Sequence, residues 1–297
     1  MDATAIAEVR RFNRIVTQRV GALDDHFLSR DRPLGEARLL WEIGADGCDV
    51  RALRSRLGLD SGYLSRLLRA LETSGLVVVE PGTHDKRVRT ARLTAAGTAE
   101  RAVLDERSDE LAVSFLEPLD AGQREQLTGA MTTVARLLTA AAVRFAVTDP
   151  AAPEALYCLR EYFAELDRRF STGFDPRRGT VPDAGEFAPP GGVLIVASLW
   201  SEPIGCGGLL LHDGDAADIK RMWVDRSARG LGVGRRLLSE LEAQASRSGR
   251  GVARLETNRG LAEAIALYRS AGYVEVEPFN DEPYADHWFA KRLRDER

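Results

Sequence analysis

Apolar residues recur at three- and four-residue steps from the start of the chain, at Ile6, Val9, Phe12, Ile15, Val16, Val20, Leu23 and Phe27. That spacing predicts an amphipathic helix over residues 6–30. Similar patterns predict helices over 34–43, 50–57 and 61–74, the last two separated by the short turn Gly58-Leu59-Asp60. VVVE, a Pro-Gly turn, a charged loop and VRTARL then read as a two-stranded ribbon. Long helices are predicted over 95–117 and 121–146.

The pattern changes after residues 145–156, FAVTDPAAPEAL, where two prolines and small residues interrupt the helical spacing. We place a domain boundary there, giving domains 1–147 and 148–297. A helix over 153–169 leads into a Gly/Pro-rich loop, 171–192. The short runs GVLIVASLW, IGCGGLLL and DIKRMWV then read as strands. A glycine-rich loop opens the helix LLSELEAQASRSG, followed by the strand VARLETN, the helix LAEAIALYRSAG, and the strands YVEVEPF and HWFAKRL.

Composition narrows the classes. The chain has 297 residues, 44% hydrophobic and 29% charged, as expected of globular domains with real cores. No run approaches the roughly 18 apolar residues of a membrane span, and the charged N-terminus lacks the apolar core of a signal peptide. Cys48, Cys158 and Cys206 are far apart, as are the four histidines, so neither a disulfide framework nor a metal site is expected. The thiols read as reduced and the protein as cytoplasmic.

Net charge is −4, but residues 51–92 hold nine Lys/Arg against four Asp/Glu. A local basic excess in an acidic chain is what a phosphate-facing surface requires. Asp60 is placed to cap the 61–74 helix, whose Leu64, Leu67, Leu68 and Leu71 share the inner face. Ser61, Tyr63, Ser65, Arg66 and Arg69 are left outward, where hydroxyl and guanidinium groups reach base edges and phosphates. The ribbon adds Lys86, Arg87 and Arg89, with Asp85 placed to order the loop. DSGYLSRLLRALETSGLV, DKR and LTAAG together resemble a MarR-type winged helix over residues 1–147. The resemblance implies a homodimer built by the first and last helices, each protomer setting its 61–74 helix into a major groove of a pseudo-palindromic double-stranded DNA operator.

The glycine loop, VDRSARGLGVGRRLL at 224–238, lacks the Gly-Lys-Ser/Thr ending of a Walker loop and the G-x-G-x-x-G spacing of a dinucleotide fold. What it has is Arg229-x-x-Gly232-x-Gly234 between a strand and a helix, with Gly230, Leu231, Val233 and Arg235 completing it. Glycines let successive N–H groups converge at the positive end of a helix, which suits a pyrophosphate. With Asn258 after the next strand and Tyr268 late in the next helix, the order resembles the GNAT N-acetyltransferase fold over residues 153–297. That resemblance implies acetyl-CoA gripped by the loop and a pantetheine arm paired to the backbone from Met222 to Val224. It also implies Asn258 near the cofactor and Tyr268 protonating the departing thiolate. The expected fold class is therefore a mostly α winged helix–turn–helix followed by an α/β (α+β) acetyltransferase fold on a central mixed sheet.

Amine acetylation also needs a base, and Asp218, Glu256 and His287 are candidates. Arg168, Arg169, Phe170 and Phe174 precede the first strand, and Lys220 and Arg221 lie in the strand before the loop. They suit a small carboxylate-bearing amine, with a protein lysine as the other open acceptor. A bifunctional regulator and acetyltransferase is the leading expectation. A ligand-sensing transcription factor without turnover, and an enzyme using its winged helix only to dimerise, are the alternatives.

Overall fold

A computed structural model describes residues 2–82, 88–170, 173–175 and 184–293. The chain forms two compact units, Met1–Thr132 and Thr133–Arg297, and the division falls within a helix that the sequence pattern runs up to residue 146.

The first unit is mostly helical. Its α1 spans Ala3–Arg19, with the Asp2 carboxylate accepting from the Thr4 N–H at its start. The predicted helix over 6–30 is therefore too long: Gly21 takes a left-handed φ of 66°, and a 3-10 turn at Phe27–Ser29 follows. Of that turn only Phe27 is buried, edge-on to Trp41 at 6.3 Å between ring centroids. Then come α2 (Leu34–Ile43), β1 (Cys48–Asp49), α3 (Val50–Leu57), α4 (Ser61–Thr73), β2 (Val77–Pro81), β3 (Arg89–Leu93), α5 (Ala95–Leu116) and α6 (Ala121–Ala142). The predicted ribbon gains a third strand, because Cys48 and Asp49 pair with Ala91 and Thr90 to give the order β1-β3-β2. A leucine core from α2, α3 and α4 sits against it, with Leu39, Leu53, Leu64 and Leu71 fully enclosed. Glu100 of α5, also buried, receives Arg30 at 2.7 Å and Arg32 at 3.1 Å, tying the segment after α1 to α5. The apolar residues of α1 stay uncovered within the chain: Ile6, Val9, Phe12, Ile15 and Val16 are all exposed.

Gly97 sets the seat of α5. The Thr94 hydroxyl caps the helix by accepting from the Gly97 N–H at 3.0 Å and donates to the Gly75 carbonyl at 2.7 Å. A Cβ at Gly97 would lie 1.9 Å from the Leu76 carbonyl oxygen, a rigid backbone atom. Gly97→Ala therefore has to push α5 off β2, and we expect a loss of about 1–3 kcal/mol from overpacking. Calorimetry should show this as a lower melting temperature for the first unit, and an unchanged melting curve would refute the argument.

The second unit holds a seven-stranded sheet. Its strands are β4 (Arg144–Val147), β5 (Gly192–Leu199), β6 (Glu202–Leu211), β7 (Ala216–Val224), β8 (Val252–Thr257), β9 (Val274–Glu275) and β10 (His287–Arg292), in spatial order β4-β5-β6-β7-β8-β10-β9. Helices α7 (Pro153–Arg169), α8 (Val233–Arg247) and α9 (Ala262–Ser270) complete it. Pairing is antiparallel except between β7 and β8, so the sheet is mixed, as expected. β5 is buried on both sides: Leu194 and Val196 pack with α7 while Ile195 and Ala197 pack in the cluster of α8. β4 corrects the predicted helix over 121–146. Residues 144–147 leave the helix because they pair with Ser198 to Ile195 of β5, an order only the fold supplies. Among the described residues no helix is long and apolar enough to cross a membrane.

Candidate active site and nucleic-acid interface

The sheet opens in its middle. β7 and β8 pair only from Ala216–Asp218 against Val252–Arg254, yet β7 continues to Val224 and β8 to Thr257. Beyond those rungs the facing edges are not joined, and two voids meet there. On its other side β7 carries an extra residue against β6: Gly208 faces Lys220 while Cys206 faces Trp223. Arg221 takes up this bulge with a φ of 56°. The bulge re-aims the side chains of the strand just where it borders the opening.

The first void is a cleft of about 1360 Å³ at the start of α8. Gly230 and Gly232 have φ of 81° and 77°, a region costly for any residue with a Cβ. Gly232 is the N-cap of α8. The N–H groups of Val233, Gly234 and Arg235 form the first turn and have no acceptor inside the helix, so they offer a positive cradle. Met222, Val224, Arg229, Gly230, Gly232, Val233, Gly234 and Arg235 all line this cleft. Leu231 instead packs against the sheet core.

The arginines of the loop behave differently from the sequence expectation. Arg229 gives its Nη2 to both oxygens of Glu165, at 2.7 and 2.6 Å, and its Nε to the Val224 carbonyl at 3.1 Å. Arg235 reaches Ser270 of α9. Arg236 turns to the end of α6, donating to the carbonyls of Ala140 at 2.7 Å and Val143 at 3.3 Å, and lies over the Phe145 ring. Arg229 is thus neutralised by a carboxylate, whereas Arg235 lines the cleft with its charge beside the neutral Ser270.

The second void, about 820 Å³, lies between α7 and the splayed strands. One side is aromatic: Phe163 of α7, Phe170 just after its end, Phe174 and Tyr284 stand with neighbouring ring centroids 4.8 to 5.9 Å apart. Tyr284 is 110 residues from Phe174, so no local pattern could have announced it; Tyr162 and Phe163, close to Phe174 in the chain, were missed because the helix spacing alone does not say which side chains face the void. The other side brings Lys220 and Arg221 from β7 and Glu256 from β8. Lys220 is in direct contact with Glu256, which also accepts from Asn280 Nδ2 at 3.4 Å. Arg221 is buried with its guanidinium over the rings of Phe163 and Phe187.

Tyr268 lines both voids and is only 5% exposed. Burial, with the charge of Glu256 adding to it, pushes its phenol well above the ordinary tyrosine range, so it keeps its proton throughout the physiological range. A proton donor thus stands at the junction of the two spaces.

The remaining predicted site residues separate. Asn258 lines the second void rather than the loop cleft, and holds its own turn by donating to the Tyr284 carbonyl and accepting from the Gly260 N–H, both at 2.8 Å. Asp218 lines neither void. Its oxygens are taken by Arg254 at 2.8 Å and His212 at 3.0 Å, a structural brace at the last β7–β8 rung. His287 pairs with Glu275 at 2.6 Å, outside both voids. Arg168 is exposed and also lines neither, whereas Phe170, Phe174 and Arg221 meet in the second.

In the first unit, the helix pair forms as its caps dictate. Asp49 accepts from the Arg51 and Ala52 N–H groups, Gly58 closes α3 in a left-handed turn, and Asp60 accepts from the Tyr63 N–H at 2.8 Å. Leu64, Leu67, Leu68 and Leu71 are buried, and Ser61, Tyr63, Ser65, Arg66 and Arg69 are exposed along one helix. Arg66 lies 5.6 Å from the centroid of the Tyr63 ring. Arg89 is exposed at the start of β3, while Lys86 and Arg87 lie outside the described residues.

Comparison with known proteins agrees with both halves. A GNAT acetyltransferase domain model matches residues 190–275, and a MarR family model matches residues 31–88. An IAA acetyltransferase of Azospirillum brasilense is 35% identical over 121 residues, 40% of this chain and 78% of that protein. Among solved structures, a GNAT-family acetyltransferase of Staphylococcus aureus is 19% identical, with 52% of this chain and all of that one covered and a TM-score of 0.45. A Salmonella typhimurium structure solved with its cofactor acetyl-CoA is 18% identical, over 52% of this chain and 96% of that one, with a TM-score of 0.39. With a curated relative matched over most of its length and both family models placed on the units where the geometry puts them, the chain belongs to the GNAT N-acetyltransferases and carries a MarR-family winged helix ahead of the catalytic domain.

Proposed function

We propose that this protein is both a DNA-binding regulator and an acetyl-CoA-dependent N-acetyltransferase acting on a small amine. The observation that carries the catalytic half is Tyr268, a protonated, buried phenol that walls both the loop cleft and the aromatic cavity. The loop amides of 232–235 suit the cofactor's diphosphate, and the unpaired edge from Met222 to Val224 suits its amide-bearing arm.

Acetyl-CoA, when bound, supplies a thioester carbonyl open to attack by a neutral amine. The amine enters through the aromatic cavity, where Glu256 is the carboxylate we assign to take its extra proton. Lys220 and Asn280 hold that carboxylate in place. As the carbon–sulfur bond breaks, Tyr268 gives its proton to the leaving sulfur. The rings of Phe163, Phe170, Phe174 and Tyr284 favour an acceptor with a flat apolar part, and Arg221 beside them favours a carboxylate on it.

The regulatory half rests on the exposed row Ser61, Tyr63, Ser65, Arg66 and Arg69, with Arg89 at the start of β3 and, by sequence alone, Lys86 and Arg87. The uncovered apolar face of α1 supports a homodimer on a pseudo-palindromic operator. A test is release of CoA thiol across a panel of primary amines, alongside calorimetry with acetyl-CoA. We expect acetyl-CoA to bind and ring-bearing amino acids to be acetylated ahead of polyamines. No heat of binding, or no amine raising thiol release above the rate in water, would remove the catalytic reading.

A further inference from the structure

Glu165 is a carboxylate the reaction does not touch, yet it is 6% exposed and accepts hydrogen bonds from three residues. Both its oxygens accept from Arg229 of the glycine loop. It accepts as well from the Trp223 indole N–H at 3.1 Å, next to the open edge of β7, and from Arg169 Nη1 at 3.3 Å on its own helix. Arg169 continues the chain of contacts to α9, donating to the Gly260 carbonyl at 2.9 Å and Glu263 at 2.7 Å. Arg229 closes the circuit through its Nε to the Val224 carbonyl.

We propose that Glu165 is a positioning residue for acetyl transfer: as the internal counter-anion of Arg229, it holds the glycine loop in the shape that receives the cofactor's diphosphate. The proposal rests on the acetyl-CoA reading of the cleft. An arginine in this position would otherwise swing on a flexible stem. Here its Nη2 is held between both carboxylate oxygens, while its Nε is pinned at the Val224 carbonyl, so the residues that follow, 230–232, leave from a fixed point. Burial acts to raise the Glu165 pKa, but the hydrogen bonds and charge of Arg229, with those from Arg169 and Trp223, outweigh it and keep the carboxyl below its usual value. The grip is therefore ionic at neutral pH. Because α7 also carries Phe163 and ends at Phe170, one helix both fixes the cofactor loop and walls the acceptor cavity. The sequence offered no sign of this beyond Glu165 standing four residues before Arg169.

The geometry also permits an opposite role. Arg229 keeps 40% of its side chain exposed and lines the cleft, so Glu165 could instead hold it back from the diphosphate. Glu165→Gln separates the two, since it keeps the size and removes the charge. For positioning, calorimetry should give acetyl-CoA affinity weakened about tenfold or more, with KM for acetyl-CoA rising in step. The kcat at saturating acetyl-CoA and the KM for the amine should stay within about twofold, and Glu165→Asp should restore part of the affinity. Hydrogen exchange of residues 229–235, measured without cofactor, should quicken in Glu165→Gln. Tighter acetyl-CoA binding in the variant, or unchanged exchange and affinity, would overturn the proposal. If Glu165→Gln does not fold, Trp223→Phe removes one donor to the same carboxylate and should shift affinity and loop exchange in the same direction by a smaller factor; no shift would overturn it. Wild-type protein that fails to bind acetyl-CoA would sink the cofactor reading itself, whereas quickened exchange in the variant speaks to the loop alone.

Discussion

Tyr268→Phe should lower the rate of acetyl transfer by about 10²- to 10⁴-fold, the range supplied by a well-placed general acid, and should leave acetyl-CoA affinity close to wild type. The ring stays, with its contacts to Tyr273 and Phe289, so the wall between the two voids survives and only the proton is lost. The phenol sits far above neutral by burial. Its deprotonation should therefore not appear in the pH–rate profile near neutrality, and any rise with pH should persist in the variant because it reports the amine or its base. Stopped-flow detection of CoA thiol measures the rate, and calorimetry measures affinity. A variant within about threefold of wild type would mean that solvent protonates the leaving sulfur.

The second large effect concerns DNA. Arg66→Ala combined with Arg69→Ala should abolish specific retardation of the operator at physiological salt. Each lost base contact costs about 1–3 kcal/mol, and each lost phosphate contact reduces the slope of log affinity against log salt by about 0.9. Both guanidiniums are exposed on α4 while its four leucines stay buried, so the double variant should fold with an unchanged circular dichroism spectrum. A variant that binds the operator with wild-type affinity and salt slope would place the nucleic-acid surface elsewhere. The acetyltransferase rate of this variant provides an internal control, since none of the residues we assign to acetyl transfer is altered.

What was legible in the sequence follows physical locality. The face of α4 could be read because its leucines repeat with the helix period and its N-cap, Asp60, follows closely on Gly58, which ends α3. The loop could be read because left-handed backbone at Gly230 and Gly232 demands glycine wherever it occurs. Residues 144–147 were hidden because four residues after a long alanine-rich helix carry no period of their own; β5, about fifty residues later, makes them a strand. Side-chain destinations were hidden most deeply. Arg229, Arg235 and Arg236 have the same sequence surroundings, yet one answers to Glu165, one to Ser270 and one to the end of α6. Asp218 looked like a base from its strand position, and only Arg254 and His212 reveal it as a brace.

The gap between β7 and β8 has a consequence for how this protein can vary. An interior pair of strand edges without rungs presents main-chain amides and carbonyls, although the Val224 carbonyl also accepts from Arg229, so a partner that pairs there is selected largely by main chain. Drift at Met222 and Val224 would then leave that recognition intact, and replacing either with alanine would understate what the segment does. The bulge at Arg221 protects the arrangement from the other side, since it breaks the regular pleat before the strand could serve as a template for foreign β-structure. On the proposed reading, the opening that receives the cofactor is thus screened against strands, and its tolerance to substitution would leave the surrounding side chains free to change acceptor while the cofactor stays the same.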